Sequence, residues 1–187
     1  MAQSRTVAVY AGEELGRYGF EDHPFGEDRI HAFWDEMHIR HLDYQVRIFQ
    51  PAIATEEQIK RFHTHEYVEK VKIYSEAGEG LLDYGDTPAY KGVFEDASFV
   101  VGTVVDATCK VMNNEARRVF VPIAGLHHSM PDTASGFCVF NDVGVAIKAQ
   151  LKAFREAGGE NPCLLFHSAE AGRKLLLAGK RAGQALP

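Results

Sequence analysis

The sequence lacks several features that particular classes of protein require. It has one tryptophan and three cysteines, and its 20 Lys and Arg are outnumbered by 26 Asp and Glu. The formal net charge of −6 argues against a broad affinity for nucleic acid or for an anionic membrane, because both need a surplus of positive side chains. We therefore predict no direct nucleic-acid partner.

The cysteines and the N-terminal residues exclude further classes. Cys109, Cys138 and Cys163 are widely spaced and include no Cys-x-x-Cys pair, which argues against a zinc knuckle or a redox pair and favours a reduced, cytoplasmic setting. The opening MAQSRTVAVY becomes polar again by Glu13, so it has neither the apolar core of a signal peptide nor the ~20 apolar residues that cross a bilayer. No membrane partner is predicted.

What the sequence does contain is an alternation of two periodicities. Short β-branched and aromatic runs at residues 7–10, 44–49 and 118–123 predict strands. Apolar residues at three- and four-residue intervals predict helices over residues 93–112 and 142–157. Strands that alternate with helices indicate an α/β fold with a largely parallel sheet.

Cap and turn residues refine this pattern. Thr55 begins a Thr-Glu-Glu-Gln sequence of the capping type, and the residues after it predict two short helices that are broken near Thr64. Either Asn141 or Asp142 is expected to cap the last predicted helix. Residues 74–92 are interrupted by Gly and Pro, which predicts a loop of the kind that carries function.

Two adjacent histidines, His127 and His128, follow the predicted strand at 118–123. They would lie beyond its carboxyl end, where open α/β sheets bind their ligands. A neutral imidazole can take a proton from a water and return it to a leaving amine, and a second can hold the developing charge. An isolated His-His pair more often forms turn hydrogen bonds or faces solvent, so the surrounding residues decide between these interpretations.

The surrounding residues resemble the signature of a known family. A glycine, two histidines, a Gly-Phe-Cys sequence and an Asn-Asp pair follow one another at its spacing. The residues concerned are Gly125, His127, His128, Gly136, Phe137, Cys138, Asn141 and Asp142. The family is that of the histone, acetoin-utilisation and acetylpolyamine deacetylases. Its fold is the parallel-sheet, three-layer arginase-deacetylase fold, of which this chain would be an incomplete form.

The resemblance implies hydrolysis of an acetylated lysine or an acetylated small amine, with zinc in the complete enzyme. His127 and His128 would be the two catalytic histidines. Phe137, with Gly136, would line the narrow tunnel for the acyl-lysine substrate. Asp86 matches the rim-loop aspartate that orients the substrate, although a turn-capping Asp before Thr-Pro is an equally good interpretation from the residues alone.

Two more residues would support the pocket. Arg29 matches an arginine that lies beneath it. Cys138 would be structural, with a thiolate nucleophile beside His127 or His128 as the alternative. The His63-x-His65 spacing is poor for one helical face and the His38-x-x-His41 spacing is ordinary, so both pairs are interpreted as solvated or core histidines.

The resemblance runs from about residue 7 to about residue 154. We assign residues 1–158 to the N-terminal part of a deacetylase domain and residues 159–187 to a divergent tail, which has four Lys and Arg in its last 21 residues against one acid. The family's Asp-x-Asp-x-His-His-Gly-Asp-Gly motif does not follow Gly159, so no metal ligand and no bound cofactor are predicted for this chain alone.

We accordingly expect this chain to be inactive alone. A non-catalytic acyl-amine-binding or scaffold protein of the same fold is the alternative. An incomplete parallel sheet exposes an edge strand, which predicts self-association.

Overall fold

A three-stranded parallel sheet organises the protein in the computed structural model, which describes residues 7–20 and 23–156. Its strands are β1 (Val7–Tyr10), β2 (Arg47–Phe49) and β3 (Arg118–Phe120), in the order β2-β1-β3. Both pairings are parallel, with Val9 opposite Ile48 on one side and opposite Phe120 on the other. The predicted α/β fold with a parallel sheet is confirmed.

Six α-helices accompany the sheet in the described part of the chain. They are α1 (Glu13–Gly16), α2 (Asp28–Ile39), α3 (Glu56–Ile59), α4 (His65–Ala77), α5 (Val93–Met112) and α6 (Asp142–Glu156). None of them is long and apolar enough to cross a membrane. The predicted tail at 159–187 lies outside the described residues.

The sheet has helices on both of its faces. The Tyr10 hydroxyl donates to Asp106 Oδ2 of α5 at 2.5 Å, which places α5 on the face that Tyr10 occupies. Side chains alternate between faces along a strand, so Val9 and its neighbour Phe120 lie on the opposite face. There Phe33 of α2 packs on Phe120 with ring centroids 5.5 Å apart. The arrangement is three layers deep.

Local cap signals were reliable predictors. Thr55 and Gln58 form the capping box at the start of α3, and Thr64 accepts the Tyr67 N–H at 3.2 Å at the start of α4. The break near Thr64 is therefore confirmed. Asn141 caps α6, since its Oδ1 accepts the Gly144 N–H at 2.8 Å.

Several predicted boundaries were wrong. The strand expected at 44–49 is limited to β2, because residues Asp43–Gln45 form a 3-10 turn. The strand expected at 118–123 stops at Phe120, where its partner β1 has nearly ended. The loop expected at 74–92 begins only after Ala77, where Gly78 ends α4 with φ 75°.

Helix α2 was not predicted at all. Only Ile30 and Met37 among its twelve residues are buried, so it carries little apolar periodicity. Its charged and polar residues instead face solvent along most of its length. A helix that buries so narrow a stripe is hard to recognise from one sequence.

Candidate active site

The loop from residue 121 to residue 141 joins β3 to α6 and carries both histidines. His127 is half-buried and His128 is exposed, and their rings are stacked with centroids 4.6 Å apart. His127 Nδ1 lies 2.8 Å from the Gly125 carbonyl oxygen. A carbonyl can only accept, so this contact places a proton on Nδ1 and leaves Nε2 as the basic atom of the neutral ring.

Asp142 fixes the turn before His127. Its carboxylate is fully buried, and its Oδ2 accepts the Gly125 N–H at 2.7 Å while Oδ1 accepts the Val143 N–H at 2.6 Å. Burial raises the pKa of Asp142 to about 6, although the backbone N–H groups and the nearby His127 act in the opposite direction.

Asn141 fixes the segment that contains the histidines. Its side-chain amide donates to the carbonyl oxygens of His127 at 3.1 Å and Ser129 at 2.9 Å. Because its Oδ1 is used by Gly144, the whole amide group is satisfied within the protein. The first turn of α6 thus holds both the turn before His127 and the peptide groups on either side of His128.

A tight turn over residues 135–138 forms the second part of the site. Ser135 and Cys138 exchange two backbone hydrogen bonds of 3.2 and 3.0 Å. The two residues between them, Gly136 and Phe137, have φ values of 56° and 62°. Two consecutive left-handed residues are typical of a type I′ turn, in which glycine is favoured. A methyl group on Gly136 would also lie 3.3 Å from His128 Cγ, so the turn packs directly on the histidine.

Phe137 is held from three directions. Its carbonyl oxygen accepts the Tyr18 hydroxyl at 2.6 Å, and the same hydroxyl accepts the Val139 N–H at 3.0 Å. Its ring stacks on His23 with centroids 3.9 Å apart and meets Phe20 edge-on at 5.3 Å. The ring therefore has a defined orientation before any ligand arrives.

Asp86 lies on the loop between α4 and α5 and contacts this turn. Its Oδ1 accepts the Gly136 N–H at 3.1 Å, and the Thr87 hydroxyl beside it accepts the Phe137 N–H at 3.1 Å. Asp83 Oδ1 in turn accepts the N–H groups of Gly85, Asp86 and Thr87 at 2.9 to 3.0 Å. Burial alone would raise the pKa of Asp83, but contacts with Asp86, Thr87 and these N–H groups outweigh it and lower the pKa.

The two residues predicted to support the pocket occupy different surroundings. The Arg29 guanidinium carbon lies 3.4 Å from the centre of the Phe25 ring, and its Nε donates to the Gly26 carbonyl at 3.2 Å. Cys138 is buried, and its thiol lies 3.5 Å from the Gly136 carbonyl oxygen. Burial against a carbonyl suits a structural thiol better than a nucleophile.

The structure thus brings His127, His128, Asp86, Gly136 and Phe137 to neighbouring loops. It adds Tyr18, Asp83, Asn141 and Asp142 as residues that hold those loops. The Asn-Asp pair belonged to the recognised signature, but its only function assigned from sequence was helix capping. Tyr18 and Asp83 gave no signal, because their contacts depend on chain segments brought together by folding.

No group of three metal-ligating side chains includes His127 or His128 within the described ranges. The group found there is Glu56, His65 and Glu69, whose ligand atoms lie within 4.8 Å of one another. Its carboxylates are already paired, since Lys72 contacts Glu56 and Glu69 and Lys60 contacts Glu56 at 3.2 Å. This cluster is on α3 and α4 and is a surface ion-pair network.

Comparison with known proteins identifies the family. The sequence profile of the histone deacetylase domain matches residues 23–157. The chain belongs to the histone deacetylase family. The acetoin utilization protein AcuC of Bacillus subtilis (strain 168) is 35% identical over 153 residues, which are 76% of this chain and 39% of that protein.

Two further similar proteins agree with this assignment. AcuC of Staphylococcus aureus (strain MRSA252) is 28% identical over 161 residues, covering 82% of this chain and 41% of that protein. The crystal structure of the HDA15 HD domain superposes with a TM-score of 0.69 at 21% identity, over 79% of this chain and 44% of that one. The fold is therefore that of the family, and the chain spans about two fifths of the relatives it matches.

Proposed function

We propose that this protein is the N-terminal part of a deacetylase that hydrolyses an acetylated lysine or an acetylated small amine, and that it is inactive alone. One observation carries the proposal: two stacked imidazoles meet a rigid aromatic turn and an exposed aspartate on adjoining loops. Membership of the family and the match to AcuC support it.

His127 and His128 would manage protons in this reaction. The Gly125 carbonyl holds the His127 Nδ1 proton, so Nε2 is the atom that would take a proton from a water and return it to the leaving amine. The buried Asp142 carboxylate would stabilise the imidazolium that forms. The stacked ring of His128 would face the same reaction centre.

The remaining residues would bind and orient the substrate. Asp86 Oδ1 accepts the Gly136 N–H, and the exposed Asp86 carboxylate would also accept a hydrogen bond from a substrate amide or amine. Phe137 and Gly136 would form one wall of the acyl-lysine tunnel. Cys138 would support that wall through the contact of its thiol with the Gly136 carbonyl. Arg29 is assigned beneath the pocket on the resemblance alone.

Zinc is part of the complete enzyme in this proposal. Among the described residues, the group of three possible ligands is Glu56, His65 and Glu69, whose carboxylates are paired with Lys60 and Lys72, so the proposal places no zinc ligand there. No step is therefore assigned to a metal in this chain. We expect the chain to be inactive alone, because a metal-bound water is the usual nucleophile at neutral pH.

The experiment that tests the proposal separates binding from turnover. The ¹H–¹⁵N NMR signals of the chain are followed during titration with N-acetyl-lysine amide, and acetate release is measured in the same samples. We expect shifts centred on Gly136, Phe137 and the imidazoles, with no acetate formed. Asp86→Ala should abolish the shifts, whereas Asp132→Ala, which removes an exposed carboxylate on the histidine loop, should leave them unchanged.

Three outcomes would contradict the proposal or part of it. The absence of shifts with any acetylated probe would refute the substrate class. Acetate release by the unsupplemented chain would refute its inactivity. Equal shifts with lysine amide that lacks the acetyl group would show that the acyl group is not what the site recognises.

A further inference from the structure

His63 is a buried histidine for which the proposed reaction has no use. It follows α3 and is only 2% exposed. Three aromatic rings surround its own, those of Phe62, Tyr67 and Phe140, with centroids 4.9, 5.4 and 5.2 Å away. Burying an imidazole at such a position costs desolvation free energy, whereas a phenyl or leucyl side chain has no polar group to desolvate.

The Nε2 atom of His63 explains its presence. Nε2 accepts the backbone N–H of Asn141 at 2.9 Å, a contact that spans 78 residues of sequence. An accepting Nε2 requires the ring proton on Nδ1, which is buried and has no hydrogen-bond partner among the described residues. The carbonyl groups of Pro131 and Met130 act to raise the pKa of the ring, against the larger effect of burial. Burial lowers the pKa of His63 to about 4, so the ring is neutral and Nε2 accepts throughout the physiological range.

The residue bound by His63 is the one that shapes the histidine loop. Asn141 places its amide nitrogen between the carbonyl oxygens of His127 and Ser129, on either side of His128. The neighbouring Thr64 N–H donates to the Pro131 carbonyl at 2.8 Å, further along the same loop. The corner between α3 and α4 therefore contacts the loop directly and also through Asn141.

We propose that His63 is a positioning residue, whose neutral imidazole fixes Asn141 and thereby sets the placement of His127 and His128. Its importance for catalysis rests on the proposed function, but the positioning itself does not. An apolar replacement would leave the Asn141 N–H buried without an acceptor. The amide of Asn141 would then be able to shift relative to both carbonyl groups.

The first test uses the unmodified protein. A hydrogen-bonded pair of nitrogen atoms gives a scalar coupling across the hydrogen bond, so ¹⁵N-labelled protein should show a coupling between the Asn141 amide nitrogen and His63 Nε2. The ¹⁵N shifts of the His63 ring should also identify a protonated Nδ1. Absence of the coupling, or a protonated Nε2, would overturn the proposal without any variant.

The second test compares His63→Gln with His63→Asn. A glutamine carbonyl can reach the place of Nε2, whereas the shorter asparagine cannot. We expect His63→Gln to keep the wild-type imidazole signals of His127 and His128. His63→Asn should shift those signals and should speed hydrogen exchange of the Asn141 amide by roughly tenfold or more.

Two controls separate positioning from a general loss of stability. His65→Gln makes the same chemical change at an exposed histidine and should alter neither histidine signal. Thr103→Val removes a buried hydroxyl in the middle of α5 that accepts the Ala52 N–H at 3.1 Å. It should destabilise the fold while leaving the signals of His127 and His128 unchanged.

The results of these variants distinguish a positioning role of His63 from a purely structural one. If His63→Asn moves the imidazole signals no more than Thr103→Val does, His63 is only a core residue and the proposal is wrong. The same conclusion follows if His63→Gln and His63→Asn are indistinguishable. If the signals move as expected but acetylated probes do not bind, the proposed function fails and the positioning of His127 and His128 by His63 stands.

Discussion

The buried carboxyl group of Asp142 makes the folded protein less stable as the pH rises. This is opposite to the effect of an aspartate whose pKa is lowered by folding. Its pKa is raised from 3.8 to about 6, chiefly by burial. Because the folded value is the higher one, the stability due to the protonated group is fully present below pH 3.8 and is lost as the pH rises through 6.

The size of the effect follows from the two pKa values. Each pKa unit corresponds to about 1.4 kcal/mol, so ionised Asp142 costs the folded state about 3 kcal/mol. Roughly 2 kcal/mol of that cost develops between pH 4 and pH 8. Asp96 adds to the slope, since burial raises its pKa to about 6 against the opposing contacts with Tyr90 and Arg17.

The assay is urea denaturation at a series of pH values, with the wild type compared with Asp142→Asn. The variant cannot ionise at this position, so its unfolding free energy should fall less steeply than that of the wild type, by about 2 kcal/mol over the range. Asp132→Asn, at an exposed carboxylate, should keep the wild-type slope. Parallel curves for the wild type and Asp142→Asn would refute the reasoning.

Three further predictions concern packing, the aromatic turn and association. Gly102→Ala should destabilise the fold by about 1–3 kcal/mol in the same denaturation assay, because the added methyl would lie 2.3 Å from the backbone atoms Ala52 O and Ala54 N. Gly144→Ala should destabilise it less, because the three atoms nearest to its added methyl all belong to the Phe62 side chain, which can move. Tyr18→Phe leaves the Phe137 carbonyl and the Val139 N–H without their partner. It should lower the free energy of unfolding by about 1–3 kcal/mol for each of these groups that stays unpaired. A loss near zero would mean that water replaces the hydroxyl. Phe120 is 50% exposed on β3, an edge strand of the sheet formed by the described residues. Sedimentation velocity should therefore show concentration-dependent association that Phe120→Lys weakens, and a monomer at every concentration would contradict this.

Much of the fold was predictable where the determinants are local. The Thr55 and Thr64 caps depend on residues within one turn, and helix α5 has a wide apolar face that repeats over twenty residues. The strand limits depend on how far the partner β1 extends, which no strand encodes alone. Helix α2 buries too narrow a stripe to be seen.

The candidate site shows the same division. His127, His128 and Phe137 were recognisable because they lie in one short signature. Asp86 had two interpretations that its sequence could not separate. The structure shows its carboxylate in contact with its own turn through Thr87 and with the Gly136 N–H, and substrate orientation stays a prediction. Tyr18 and His63 act on residues 119 and 78 positions away, and a single sequence gives no measure of such distances.

The attachment of the histidine loop to the start of α6 has a consequence for substitutions far from that loop. Asn141 and Asp142 lie at the start of α6, and α6 packs along α5. The histidine loop is therefore hydrogen-bonded to the end of a packed helix and not to a flexible segment. A substitution that tilts α6, even one near Gln150 where it meets Thr108 of α5, would rotate the support of both imidazoles together. Changes that never approach the loop would therefore alter the paired histidines as a unit, while the separation between their rings stays nearly constant.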